Sequence, residues 1–476
     1  MASITYDQAA HLLRRMGFGG SPDDIAALAA LDQQSAVNSL LDYTAIDNSV
    51  MENMLKVSFD FSNPNNPATF NRGEIERWWL TRMVATRRPF EEKLTLFWHN
   101  HFATAASKVP EIFMFAQNQL LRANGLARFD DLLLQAARDP AMLIWLDGIT
   151  NVKSQPNENF AREVQELFTM GIVDAVTGEQ NYTEDDVKQI ARAFTGWAFG
   201  QPDPSQPFNF ITFVNPAEHD FGAKTIYGQT ANYGGEDVTP IIAARRATAR
   251  FLVKKLFQFF VYPLTSDPSD VATIEKFADV YMANNHSIRE VVRAIFSSDE
   301  FFSDRAMFGL VKSPVELVIG AIRMIGARYN AGPPGSGSEL AGFSSLLGQE
   351  VFNPPDVSGW PHGMGWINTA TLLSRYLFAD LLVITRPSNP TSPGAFIDHD
   401  QLSRHTKANT KKTVKNFLSL LGPLNLDNVA INALRTYLQT DDQGNQAAFT
   451  PDDLTIEKKI RGLVHQIMCL SEFQLN

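Results

Sequence analysis

The chain has 476 residues, 44% of them hydrophobic, 11% aromatic and 20% charged. That composition excludes collagen-like, mucin-like and wholly disordered chains, because enough apolar side chain is present to offset chain entropy. Its 41 basic and 52 acidic residues leave a net charge of −11. With no long Lys/Arg run, this argues against a nucleic-acid or anionic-membrane partner. The single Cys469 excludes an internal disulfide framework, a CxxC redox pair and a multi-Cys zinc site.

In chain order, helical punctuation dominates. Thr5 with Gln8 reads as a capping box opening a helix over Tyr6 to Met16, which Gly17-Phe-Gly-Gly stops. Ser21-Pro22 is an N-cap with proline at the first helical position, and similar starts stand at Thr183 with Asp186 and at Thr450 to Asp453. Apolar periodicity predicts helices near 74–88, 89–102, 110–124, 158–170, 184–197, 240–262, 287–302, 312–328, 368–385, 411–421 and 454–470. The fold class is therefore mainly α: a large multi-helix globular domain with a short β-hairpin insertion and long packed loops. No stretch reaches the roughly 18 to 20 apolar residues that span a bilayer, so no membrane span is expected.

Three irregular stretches interrupt the helices. Residues 199–239 hold two β-like runs, Phe210 to Val214 and Lys224 to Tyr227, which read together as a hairpin. Residues 329–367 form a Gly/Pro/Trp loop. Residues 386–410, poor in aromatics and rich in basic groups at their end, read as a solvated linker. The expected organisation is a helical core over 1–385, the linker at 386–410, and a C-terminal helical segment over 411–476.

Five segments carry candidate chemistry. In Pro89 to Phe102, the stripe Leu94, Phe97, Trp98 and His101 turns His101 inward and leaves His99 around the helix, near Glu92 and Thr95. Both histidines serve one metal only if the helix ends at Asn100. In Pro156 to Gly171, Asn159, Glu163 and Glu166 share a stripe of roughly 60°. Two carboxylates so placed can hold a hard cation or act as acid and base, with Arg162 pairing to Glu158 and Glu166. The third segment, Tyr182 to Trp197, sets Asp185, Gln189 and Arg192 opposite an apolar stripe. The fourth, His219-Asp-Phe-Gly-Ala-Lys, offers a proton-transfer or metal-binding His219 beside Asp220 and Lys224. The fifth, Phe352 to Asn368, presents Trp360, Trp366, His362 and Asn368, rings and polar groups suited to a sugar or peptide. Each segment also has a purely structural reading: a buried, hydrogen-bonded His101 with a surface His99, solvated ion pairs, helix capping, tight turns and loop anchoring. Walker, dinucleotide-binding GxGxxG, HExxH and GxSxG signatures are absent.

Taken in order, the motifs resemble the bacterial domain of unknown function 1800 family. They are His11-Leu-Leu-Arg-Arg-Met-Gly-Phe-Gly, Phe97-Trp-His-Asn-His-Phe, Asn157-Glu-Asn-Phe-Ala-Arg-Glu with Glu166-Leu-Phe-Thr, and Tyr182-Thr with Asp186-Val. Thr195-Gly-Trp, His219-Asp-Phe-Gly-Ala-Lys, Pro354-Pro-Asp-Val-Ser-Gly-Trp to Trp366 and Ser471-Glu-Phe-Gln complete the set. Val164-Gln165 departs from the two leucine-like positions more usual there. The resemblance names no reaction. It implies export, hence a periplasmic or extracellular protein whose leader has been replaced, although the unremarkable N-terminus alone fits a cytoplasmic protein equally.

The resulting expectation is an exported helical hydrolase acting on a polar polymer such as a glycan. Glu163, Glu166, His101, His219 and Asp220 would be catalytic. Arg162, Arg192, Lys224, Trp360 and Trp366 would bind substrate. A divalent metal on His99, His101, Glu163 and His219 leaves zinc, manganese, iron and calcium open. The alternative is a non-catalytic cell-envelope assembly or carbohydrate-binding protein whose polar motifs form a structural network. The enzyme reading requires His101, Glu163 and His219 to share one pocket, with side chains within about 12 Å.

Overall fold

The computed structural model describes residues 3–202, 205–387, 389 and 392–476. Local capping chemistry starts the helices where side chains can satisfy the free N–H groups of the first turn. Thr5 and Gln8 form a reciprocal capping box on the Tyr6–Arg15 helix, Ser21 and Asp24 on Pro22–Ala29, and Thr183 and Asp186 on Glu184–Ala193. The protein is mainly α-helical, and its only regular sheets among the described residues are two-stranded. The expected 240–262 helix is two helices, Gly235–Ala243 and Arg246–Phe260. The Pro268–Ala283 helix was not foreseen, because alanines dilute its apolar stripe. No helix among the described residues is long and apolar enough to cross a membrane.

Two readings of the irregular stretches need correction. The runs at 210–214 and 224–227 do not pair with each other. Thr212–Val214 (β2) pairs antiparallel with Trp197–Phe199 (β1), and Lys224–Ile226 (β3) pairs with Gln229–Ala231 (β4). The β3–β4 turn is Tyr227-Gly228, both at positive φ (47° and 79°), the geometry that suits a two-residue hairpin. The 386–410 stretch is not a solvated linker either. Its Gly394–Phe396 strand (β6) pairs with Arg328–Asn330 (β5), Ile397 and Leu402 are buried, and His399–His405 is helical. Apolar Ile397 and Leu402 supply the burial that composition alone obscured.

Two apolar cores meet at the Pro89–His101 helix. Phe90, Leu94, Phe97 and Trp98 belong to one core, Leu96 to the other. The second core also takes in the C-terminal helices, through Val414, Phe417, Leu463 and Ile467. Every residue from Phe90 to His99 is buried, so this central helix has no solvated face. Its polar side chains must therefore find partners inside the protein. Glu92 is fully buried; its Oε1 accepts from Arg82 Nε at 2.7 Å and Arg122 Nε at 2.9 Å. Its Oε2 accepts from Trp79 Nε1 at 2.9 Å and Arg122 Nη2 at 2.8 Å. Lys93 pairs with Glu316 and donates to Gly17 O at 3.1 Å. These bonds fasten the central helix to the Arg72–Ala85, Glu111–Asn124 and Pro314–Ile325 helices.

Burial alone would raise the Glu92 pKa, but the Arg122 and Arg82 guanidinium ions override it and hold the carboxyl down to about 2. A carboxylate held below its unfolded value, about 4.3, stabilises the fold fully above that pH. The contribution fades as pH falls from about 4.3 to about 2. Replacing Glu92→Gln leaves buried Arg122 without a carboxylate and Arg82 with only Glu52 and the more distant Glu91, so urea unfolding at neutral pH should show a loss of about 3–5 kcal/mol. The variant should also lose the acid-dependent decline across that window. An unchanged unfolding free energy would contradict the assignment.

Candidate functional site

A cleft of about 440 Å³ opens where the last turn of the central helix, the Arg246–Phe260 helix, the start of the Pro314–Ile325 helix and the 349–366 loop converge. Phe97, Phe259, Met364 and Trp366 give it largely apolar walls. The titratable groups on it are His101, Lys255, Glu316 and His362, with Asn100, Gln258, Ser313 and Gln349 as uncharged polar neighbours.

Asn100 and His99 hold the loop in place. Asn100 Oδ1 accepts from Trp360 N–H at 2.6 Å, and its Nδ2 donates to His362 Nε2 at 3.4 Å. Gly359, at φ 88°, passes so close that a Cβ there would stand 2.6 Å from Asn100 O, so this crossing demands glycine. His99 is 1% exposed, not at the surface as the helical stripe suggested. Its Nε2 accepts from Phe352 N–H at 3.1 Å, and Trp79, Phe352 and Trp360 surround the ring. Desolvation pushes its pKa down to about 3 and keeps it neutral. Phe352 itself adopts a left-handed φ of 64°, a strain held by that bond and by its O accepting from Ala106 N–H at 2.8 Å.

His101 lies on the cleft wall between aromatic neighbours Phe97, Trp98 and Phe102. Its Nε2 is 2.9 Å from Phe168 O. A carbonyl only accepts, so Nε2 carries the proton and Nδ1 keeps a bare lone pair. Nδ1 is buried and has no hydrogen-bond partner among the described residues. Burial first, then the Lys255 charge, push the ring's pKa well below its ordinary value. Lys255 reaches the preceding carbonyl, Leu167 O, at 3.4 Å and has no carboxylate partner among the described residues. Desolvation pushes its pKa down to about 8. Both groups thus hang from adjacent carbonyls at the C-terminal end of the Asn159–Glu166 helix, the electronegative end of its dipole. Glu316, the carboxylate on the cleft wall, is committed elsewhere. Lys93 and Asn476 Nδ2 (2.9 Å) bind its Oε1, and Ser313 N–H donates to its Oε2 at 2.7 Å.

Of the site residues expected from the sequence, His101 and Trp366 line this cleft. Trp360 is 3% exposed and packs on His99, so it anchors the loop and is no open platform. Arg162 binds Glu184 at 2.8 Å, Glu158 at 3.3 Å and Glu166 at 3.6 Å, while Tyr182 Oη donates to Glu166. Glu163 sits half-buried beside this group, its pKa raised by desolvation and then by Glu166. None of these five charged side chains lines the cleft.

His219, Asp220, Lys224 and Arg192 form a second, self-contained knot. His219 Nδ1 donates to Thr195 O at 2.8 Å, and Arg192 Nε donates to Asp220 Oδ2 at 2.7 Å. Buried Lys224 gives its ammonium protons to Asp220 O at 2.6 Å and Gly222 O at 3.0 Å. The metal set His99, His101, Glu163 and His219 is not assembled. No group of three or more His, Cys, Asp or Glu residues suited to a metal occurs among the described residues.

Lys255 escaped sequence reasoning. It sits three residues after Leu252 and four before Phe259 on an apolar stripe, a position where a lysine is anomalous, but the Lys254-Lys255 doublet disguised it as a solvated edge. His11 to Gly17 reach the site indirectly, through Gly17 O on Lys93.

Residues 11–475 match the family described as "Protein of unknown function (DUF1800)", and the chain belongs to that family. No curated protein and no solved structure matches it.

The His219 knot and the cleft should respond separately to mutation. His219→Ala or Lys224→Met should lower unfolding free energy by about 1–3 kcal/mol, measured by urea denaturation, through lost buried hydrogen bonds. A variant that keeps full stability but loses ligand binding at the cleft would contradict the structural role.

Proposed function

We propose that this DUF1800 member binds a compact amphipathic molecule in the cleft. Its apolar body lies against Phe97, Phe259, Met364 and Trp366, and its electron-rich head meets Lys255. The observation that carries this reading is the Lys255 ammonium, which lines an otherwise largely apolar cavity with one long hydrogen bond, a Phe251 ring 5.3 Å away and no carboxylate partner among the described residues. A poorly compensated ammonium in such walls is costly, and an incoming anion or carbonyl oxygen relieves it. The volume, about 440 Å³, falls in the range of small-molecule sites.

A hydrolase reading of the same cleft would rest on His101 and His362 as proton carriers. The carboxylate pair Glu163 and Glu166 lies off its walls, and Glu316 is occupied by Lys93. Largely apolar, partly enclosed walls favour a compact molecule over a hydroxyl-rich polymer such as a glycan. The structural-network alternative is supported by the His219 knot, and it leaves the unmatched Lys255 and His101 Nδ1 without a role.

Isothermal titration with straight-chain carboxylates from butyrate to dodecanoate, against the matching alcohols, tests the proposal. Carboxylates should bind about tenfold or more tighter than alcohols, a difference of about 1.4 kcal/mol. Lys255→Met should erase that difference, and Trp366→Ala should weaken both series. Because the ammonium is charged below its pKa of about 8, carboxylate affinity should hold at neutral pH and fall as pH rises past that value. Absence of binding, or affinity indifferent to Lys255→Met, would overturn the proposal.

A further inference from the structure

Four lysines have strongly desolvated ammonium groups, and three of them are spoken for. Lys93 has Glu316 and Gly17 O, Lys224 has two backbone carbonyls, and Lys312 donates to Phe473 O and lies 3.9 Å from the Phe473 ring centroid. Lys255 differs in two respects: it lines the cleft, and its ties are weak, one 3.4 Å hydrogen bond to Leu167 O and a Phe251 ring 5.3 Å away. On the same wall His101 presents an imidazole whose tautomer is fixed by Phe168 O, leaving the Nδ1 lone pair without a partner. An amine with weak ties and an imidazole with a bare nitrogen, held by consecutive carbonyls in a pocket of low polarity, are the parts that carbonyl condensation requires.

Resting on the binding reading above, we infer that Lys255 is the nucleophile of a carbonyl-condensing site that forms an imine with an aldehyde or ketone seated in the cleft, with His101 Nδ1 as its proton carrier. The ammonium first gives a proton to Nδ1. The freed Nζ lone pair then bonds to the carbonyl carbon as the C=O π pair moves to oxygen, and a proton passes from nitrogen to that oxygen. His101 returns its proton to the carbinolamine hydroxyl, which leaves as water while the nitrogen lone pair closes the C=N bond. The sum is ammonium plus carbonyl going to protonated imine plus water, with His101 unchanged and no oxidant or reductant consumed. Desolvation pushes Lys255 down to about 8, so that a useful fraction of amine exists near neutrality, while the lowered basicity of His101 makes it a transient carrier that gives its proton back readily to the leaving hydroxyl. The same dry walls slow hydrolysis of the imine. The titratable groups sharing the lining are His101 of the central helix, His362 of the loop and Glu316, whose charge Lys93 already neutralises.

The experiment incubates the full-length protein with hexanal and sodium cyanoborohydride and follows adducts by intact mass and peptide mapping. A single saturable adduct on Lys255, suppressed by octanoate, is expected in the unmodified sequence, so the main readout needs no variant. Its rate should rise with pH through about 8. Lys255→Arg should abolish it, and His101→Gln should slow it by about tenfold or more at saturating hexanal, whereas a loss that saturating hexanal restores would mark a packing role and overturn the part given to His101. Adducts scattered over surface lysines, insensitive to octanoate and to Lys255→Arg, would overturn the inference. Octanoate binding that depends on Lys255, without any Lys255 adduct, would overturn the condensation chemistry alone and leave the binding reading standing. Absence of both would remove both.

Discussion

A helix with no solvated face can carry polar side chains only where the fold supplies a partner for each, and the Pro89–His101 helix governs this structure in that way. Glu92 binds two arginines and a tryptophan, Lys93 binds Glu316, His99 receives Phe352 N–H, Asn100 grips the loop at Trp360, and His101 reaches Phe168 O. These bonds reach the Arg72–Ala85, Glu111–Asn124 and Pro314–Ile325 helices, the 349–366 loop and the turn at Phe168, so one helix sets the positions of five other elements. Because the two apolar cores meet across it, a shift of this helix would disturb both. The strained Phe352 and the glycine at 359 are local consequences: the loop accepts an unfavourable backbone in order to sit against the end of the helix.

The cleft begins where that satisfaction runs out. On its wall, Glu316 and Asn100 are fully engaged, whereas His101 has one nitrogen to spare and Lys255 has no counter-ion. Weakly satisfied polar groups in an apolar setting are costly to a fold, and a cavity lined by two of them is a physical mark of a site for something else. The Asn159–Glu166 helix contributes there in an unexpected way, through the carbonyls just past its end and not through the carboxylates along its side.

Much of this was legible from local patterns. The capping boxes, the inward turn of His101 and the anchoring of the Trp360 loop follow from residue types a few positions apart. What sequence could not reveal was nonlocal. His99 looked solvated because the loop at 352 that covers it is some 250 residues away in sequence. Phe210 to Val214 had two nearby strands to choose from, and nothing local favoured Trp197–Phe199. Glu163, Glu166 and His219 drew attention as reactive types, yet arginines, a tyrosine and backbone groups lie between them and any shared pocket role. Lys255 was hidden for the opposite reason, since a lysine pair in a helix is usually solvated.

The central claim is that His101 is a neutral imidazole protonated on Nε2, with Nδ1 buried in the cleft wall and without a hydrogen-bond partner among the described residues. Nitrogen-15 NMR of labelled histidine side chains tests it directly. The account predicts that the His101 ring keeps a bare Nδ1 signal and a protonated Nε2 signal from about pH 8 down to about pH 5, below the ordinary histidine range. A His101 ring that titrates near the usual value of about 6.5, or that carries its proton on Nδ1, would contradict it.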